Sequence, residues 1–193
     1  MPPENVLPEA VPAETVLSDD VRADPLLAAL GVPDALAYEV IGALRARRQT
    51  VATAESLTAG LLCAALTCVP GSSAAVRGGL VVYATELKTR LAGVSPDLLA
   101  EHGAVHPEVA RQLAAGSAAR CGATWGVGLT GVAGPDRQDG VAPGRVYLAI
   151  AGPETVRSAT IDVAGDRHAV RAGAVLAALR ELRVAVAACS TGA

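Results

Sequence analysis

The sequence predicts an α/β domain: a three-layer α/β/α sandwich built on a mixed, mostly parallel sheet of about five strands. Three observations lead there. Short apolar runs alternate with helical patterns from about residue 34 to residue 143, the order that builds a sheet covered by helices on both faces. The last two strand-like runs, Gly144–Ala151 and Thr155–Val163, join at Gly152-Pro153, too closely for a crossover helix, so they form an antiparallel hairpin. The chain of 193 residues is long enough for one domain with a sizeable core and short for two.

Residues 1–33 are rich in Pro, Glu, Ala and Asp and read as a mobile N-terminal tail, with a possible short helix at Pro25–Leu30. The domain is expected over residues 34–190. Asp34 opens a helix that runs to about Arg48, with Leu36, Val40, Ile41 and Leu44 on one face. A strand at 50–54 runs directly into a helix at about 58–68, which Pro70-Gly71-Ser72-Ser73 ends. Gly78–Ala84 reads as the second strand and Thr85–Leu91 as a short helix closed by Gly93. Ser95-Pro96 starts another helix by the cap-then-proline pattern, and Pro107–Arg120 is a longer, Ala-rich one. Thr124–Thr130 is the third strand, followed by the small-residue loop Gly131–Asp136 and a polar loop to Pro143. After the hairpin, a final helix spans about Asp166–Ala188.

Composition narrows the function. The formal charge is −3 and the longest basic cluster is Arg45-Ala46-Arg47-Arg48, which argues against a nucleic-acid footprint. No stretch reads better as a membrane span than as a soluble element, and the N-terminus lacks a signal-peptide pattern, so a cytoplasmic protein is expected. The four cysteines (Cys63, Cys68, Cys121, Cys189) have no metal spacing and read as small apolar residues. His102, His106 and His168 are likewise too scattered for a metal site. The chain has no Phe, so Trp125, three Tyr and many Ala, Val and Leu must pack a core of small side chains closely.

Ligands in sheets of this kind sit beyond the carboxyl ends of the strands. Ser56, Tyr83 and Thr130 all fall at or just past such ends and could face one crevice. Ser56 lies where strand becomes helix, beside backbone N–H groups that can hold an oxyanion, although a Ser or Thr there commonly serves as a helix cap. A serine nucleophile needs a base. Lys88 stands one turn into the helix after the Tyr83 strand, and a desolvated lysine can take a proton, whereas most lysines are solvated. Tyr83 could hydrogen-bond the amine or relay the proton.

Several blocks of sequence carry a resemblance: Thr53-Ala54-Glu55-Ser56-Leu57-Thr58-Ala59-Gly60, Pro70–Ser73, Gly79–Lys88, Leu91–Val94, His102–Val105, Gly131–Asp136 and Gly165-Asp166-Arg167. In order and spacing they resemble the CinA C-terminal domain family, over roughly residues 34 to 188. The chain is expected to be a stand-alone form without the additional N-terminal domain of larger family members.

The resemblance implies a serine amidohydrolase acting on nicotinamide mononucleotide (NMN), with Ser56 as nucleophile, Lys88 as base and Tyr83 accompanying them. It also implies a substrate pocket formed by Glu55, Thr58, Ala59, Gly60, Thr130, Gly131, Gly134 and Arg167. No cofactor or metal is implied; the expected partner is the small-molecule substrate, with no nucleic acid or membrane, and the protein is expected to be a homo-oligomer. Arg167, Arg171 and the glycine-rich loop are the candidate phosphate donors. Two residues depart from the family pattern. Ala59 stands where the family has the first of two glycines, and His106 stands where the family has a serine able to cap the next helix. The alternatives are a Ser–Lys amidase for another small amide, and a nucleotide-binding or regulatory CinA-like domain without catalysis.

Overall fold

The computed structural model describes residues 24–153 and 155–189. In chain order the elements are α1 (Pro25–Ala29), α2 (Asp34–Ala46), β1 (Val51–Glu55), α3 (Leu61–Thr67), β2 (Val76–Val81), α4 (Thr85–Ala92), α5 (Pro96–His102), α6 (Pro107–Cys121), β3 (Trp125–Gly131), β4 (Arg145–Ala151), β5 (Val156–Asp162) and α7 (Arg167–Ala188). The strands lie in the order β2-β1-β3-β4-β5. β1 pairs in parallel with β2 and β3, whereas β3–β4 and β4–β5 are antiparallel, so the expected mixed five-stranded sheet is present.

Every residue of β1 and β3 is buried, as strands covered on both faces must be. On one face Val51, Trp125, Val127 and Leu129 pack under α1, α2, α3 and α7. On the other, Ala54, Val82 and Val94 pack with Val109 and Leu113 of α6. The core is closed with small side chains: a Cβ on Gly126 or Gly128 of β3 would overlap the carbonyl oxygens of Ala114 and Ala110 of α6. Helix α6 therefore lies flush on the strand that ends beside Ser56. Trp125, fully buried, fills the opposite face and donates its indole N–H to Gln49 at 2.9 Å.

Three differences from the sequence reading bear on the site. Residues 24–33 pack into the core: Asp24 caps α1 by accepting from Leu26 N at 2.8 Å, and Leu27, Leu30 and Val32 are buried with α2 and α7. The earlier part of the expected tail lies outside the described residues. Second, the helix expected from residue 58 begins at Leu61, because Ala59 (φ 50°) and Gly60 (φ 94°) are left-handed and cannot belong to a right-handed helix. Third, β2 ends at Val81 rather than Ala84, since the chain turns off the sheet and buries Val82 against α6.

Among the described residues no helix is long and apolar enough to cross a membrane. Cys63, Cys68 and Cys121 are free, half-buried thiols. No group of three or more His, Cys, Asp or Glu among the described residues is placed to hold a metal ion.

The flush contact of α6 on β3 makes a direct prediction. Gly128→Ala should destabilise the protein by at least ~3 kcal/mol, the upper range of overpacking costs, because the clash is with backbone that cannot rotate away. Urea denaturation measures it, and a loss below ~1 kcal/mol would mean that α6 is free to ride outward.

Candidate active site

The turn carrying Ser56 is built around Glu55. Its side chain is fully buried, accepts the Thr53 hydroxyl at 3.0 Å, and takes three backbone N–H groups of the following segment: Gly60 (3.0 Å), Leu62 (3.0 Å) and Cys63 (2.8 Å). These are the donors that the start of a helix leaves without intrahelical partners. An anion there is also favoured by the helix dipole. Contrary to the sequence reading, which had these N–H groups hold a substrate oxyanion, they serve Glu55.

The open donors lie one turn earlier. Residues 56–59 form a tight turn closed by Ala59 N to Ser56 O at 3.1 Å, while Ser56 N donates to Leu129 O at 3.0 Å. Among the described residues, the N–H groups of Leu57 and Thr58 inside this turn have no acceptor; Leu57 lines the cleft, whereas Thr58 is fully buried. Ala59 keeps a left-handed φ where a glycine would sit without strain, at a cost of roughly 1 kcal/mol.

Lys88 is the only lysine in the chain; every other Lys/Arg position is arginine. Its side chain is 1% exposed. The amine donates to Val82 O at 2.9 Å and to Tyr83 O at 3.4 Å, so it reaches back to the end of β2. The register explains why this matters. Glu55 pairs with Val81 on one side and Leu129 on the other, and Val82 N donates to Glu55 O at 2.9 Å as the chain leaves the sheet. The Val82 carbonyl, with the amine bound to it, therefore lies one residue past the end of β2, alongside the end of β1 from which Ser56 follows. No hydrogen bond joins Lys88 Nζ to Ser56 Oγ in this structure. Burial lowers the Lys88 pKa from 10.5 to about 8; the charges of Asp139 and Glu86 oppose that shift.

A cleft of about 330 Å³ opens at this end of the sheet, lined by Ser56, Leu57, Tyr83, Arg167 and the loop Gly131–Gln138. Its size and mixed lining suit a small ligand. Tyr83 stands on the rim, well exposed. Its hydroxyl accepts from Arg167 Nη2 at 2.8 Å, while Arg167 Nη1 donates to Gly134 O at 2.9 Å, so the arginine ties the two walls together. The Tyr83 hydroxyl therefore meets Arg167 rather than the lysine amine.

Of the other residues expected at the site, Gly131 and Gly134 line the cleft and Ala59 is exposed beside it. Thr130 is 1% exposed and donates its hydroxyl to Ala104 O at 2.7 Å, behind the cleft wall. Thr58 is buried, its hydroxyl without a partner among the described residues. Arg171 turns inward, Nε to Leu57 O at 3.0 Å and Nη2 to Thr58 O at 3.1 Å, which occupies it with backbone rather than with a phosphate. His106 does the capping work of the serine it replaces: its Nδ1 accepts Glu108 N at 3.2 Å at the start of α6.

Sequence reasoning missed Glu55 as an organiser and Asp139 altogether. Asp139 sits in a tight Gln138–Val141 turn with φ 49°, and its Oδ2 accepts Ala104 N at 2.7 Å, pinning the polar loop beside Thr130. The Asp139-Gly140 dipeptide, a strong signal for such a turn, was the available clue.

Fold and site together define a class: an α/β/α domain with a serine on a strand-to-helix turn and a buried lysine on the helix that follows the neighbouring strand. Comparisons with known proteins give its family. Residues 33–186 match the model of the CinA C-terminal domain. The chain is 46% identical over 153 residues to a CinA-like protein of Frankia casuarinae, covering 79% of this chain and 35% of that protein. A CinA-like protein of Anaeromyxobacter sp. (strain K) is also 46% identical, over 79% of this chain and 38% of its own length. The chain thus spans little more than a third of these curated relatives. Among solved structures, competence damage-inducible protein A of Klebsiella pneumoniae superposes with a TM-score of 0.78 at 33% identity, covering 81% of this chain and 98% of that one. A competence/damage-inducible protein of Agrobacterium tumefaciens gives 0.76 at 34% identity, covering 80% and 94%. The chain belongs to the CinA C-terminal domain family.

The single lysine makes its titration directly observable. Protein labelled with ¹³C at lysine Cε should show one side-chain resonance, titrating near pH 8. Asp139→Asn removes an anion that favours the ammonium form, so the midpoint should move to lower pH. A midpoint near the ordinary lysine value of 10.5 in the native protein would show a solvated amine.

Proposed function

We propose that the protein is an amidohydrolase that converts NMN to nicotinate mononucleotide and ammonia through a Ser–Lys mechanism. The observation that carries this reading is the buried Lys88 amine, held on Val82 O where β2 ends alongside the β1 end that leads into Ser56, with Ser56 lining the cleft. A buried lysine whose pKa falls to about 8 has a substantial neutral fraction near physiological pH, which a base requires.

Lys88 exchanges a carbonyl contact for the Ser56 hydroxyl as substrate enters; catalytic contacts commonly tighten only in the complex. Ser56 Oγ then attacks the carboxamide carbon while Lys88 takes its proton. The oxyanion is held by the N–H group of Leu57, the donor without an acceptor that lines the cleft. Protonated Lys88 gives the proton to the departing nitrogen, and ammonia leaves an acyl ester on Ser56. Water, deprotonated by Lys88, cleaves the ester and restores both groups. No metal or organic cofactor enters this sequence. In this reading Arg167, which lines the cleft, meets the nucleotide end of the substrate.

Ammonia release from NMN by purified protein, with nicotinamide and nicotinamide riboside as comparison substrates, tests the substrate. Ser56→Ala should abolish release in a folded protein, since its Oγ is the nucleophile. Lys88→Arg should be equally inactive, because arginine does not give up its proton at working pH. The log of kcat/KM for the native enzyme should rise with unit slope as pH increases and level off above about 8. Substantial activity in Lys88→Arg would mean that the residue supplies charge alone.

Arg167 carries a separate expectation. Arg167→Ala should raise KM for NMN several-fold and change turnover of the riboside less, if the guanidinium meets the phosphate. Equal loss on both substrates would make Arg167 only the tie between Tyr83 and Gly134.

A further inference from the structure

Arg171, on the second turn of α7, is the cation closest to the nucleophile's turn by bonding, yet it is no part of the cleft lining. Its guanidinium spans two successive carbonyls, Leu57 O and Thr58 O, directly after Ser56. A trans peptide points its N–H opposite to its C=O. Holding Leu57 O on the α7 side therefore turns the N–H of Thr58, in the same peptide unit, to the opposite side. The following peptide is fixed twice, by Arg171 on Thr58 O and by Ala59 N on Ser56 O. Glu55 has already withdrawn the N–H groups of Gly60, Leu62 and Cys63 and Thr58 is fully buried, so Leu57 is the donor left at the cleft beside Ser56.

We propose that Arg171 is a positioning residue of the catalytic turn: by clamping the Leu57 and Thr58 carbonyls it fixes the turn that presents Ser56 and the Leu57 N–H donor to the oxyanion formed there. The proposal rests on the Ser56 nucleophile proposed above and deepens it. The fixed positive charge behind these peptides also reinforces their dipoles in the direction an oxyanion needs. The two-pronged geometry suits arginine in particular, since one rigid fork meets two acceptors whose spacing is set by the turn. The role differs from phosphate binding in what it predicts: a positioning residue changes the chemical step, whereas a phosphate ligand changes affinity for the nucleotide.

Two readouts test it. In steady state, Arg171→Ala should lower kcat for NMN by about 10- to 100-fold, the scale of a misplaced catalytic group, with KM changed by less than about threefold. Arg171→Lys, which keeps the charge and can hold one carbonyl at a time, should fall between the two. The second readout needs no knowledge of the substrate. A small fluorophosphonate that reacts with activated serines forms a tetrahedral adduct whose oxygen occupies the oxyanion position, and mass spectrometry gives its rate of attachment to Ser56. Native protein should be labelled there, and both variants more slowly, in the same order as their kcat. Circular dichroism establishes that the variants are folded, and Arg171→Lys preserves the test if Arg171→Ala is not.

A folded variant labelled as fast as native protein would overturn the proposal, as would a rise in KM for NMN without loss of kcat. If native protein is labelled at Ser56 but does not turn over NMN, the substrate assignment fails while the clamp stands on the labelling rates. If native Ser56 is not labelled at all, the nucleophile is lost and the clamp with it.

Discussion

The site depends on one buried carboxylate. Glu55 ends β1, a strand buried along its whole length, and instead of pairing with a cation it collects three backbone N–H groups and a hydroxyl. A carboxylate in a dry interior is tolerable only when it is hydrogen-bonded this completely. The arrangement closes the chain on itself between residue 55 and the start of α3, so the residues between must bulge outward as a tight turn. That bulge holds Ser56, forces Ala59 and Gly60 into left-handed conformations, and leaves the Leu57 and Thr58 N–H groups without acceptors. Glu55 thus acts at a distance from any ligand. It shapes the floor of the cleft by occupying the donors that a simple strand-to-helix junction would have offered there.

Lys88 shows the cost of such a site. Its amine keeps two carbonyl contacts, but burial still disfavours the charged form and brings the pKa from 10.5 to about 8. Between those values the unfolded chain binds the proton that the folded protein releases. Folding stability therefore rises with pH through that window and is lowest, as far as this residue is concerned, below pH 8. A shift of this size corresponds to roughly 3 kcal/mol. The rest of the chain uses arginine wherever a cation is wanted, and arginine cannot serve as a base at ordinary pH. One lysine, placed at the destabilising position, is consistent with selection for its proton affinity rather than for its charge.

Much of the fold was legible in the sequence because its signals are local. Alternating apolar runs and helix caps placed five strands and the long α7, and the short Gly152-Pro153 junction required the antiparallel hairpin. The convergence of Ser56 and Tyr83 on one cleft followed from their places at strand ends. What escaped was set by tertiary partners. Glu55 reads as one more polar residue in a motif until the N–H groups of α3 close on it. Thr130 lies at the expected strand end, but its hydroxyl is drawn to Ala104 O by the loop between α5 and α6. Leu27 and Leu30 belong to the core only because α2 and α7 leave a surface for them, which no pattern within the short Pro-rich segment reveals. The one compositional clue passed over was the solitary lysine.

The central claim is that Ser56 becomes acylated during amide hydrolysis. It is tested most directly by rapid acid quenching of the enzyme during turnover of NMN, followed by proteolysis and mass spectrometry of the peptide carrying residues 51–60. The account predicts a nicotinoyl-nucleotide ester on Ser56 that forms before steady state, decays once substrate is exhausted, and is absent from Ser56→Ala. Ammonia release at the full rate with Ser56 unmodified at every quench time, and retained in Ser56→Ala, would show water attacking the amide directly and would contradict the account.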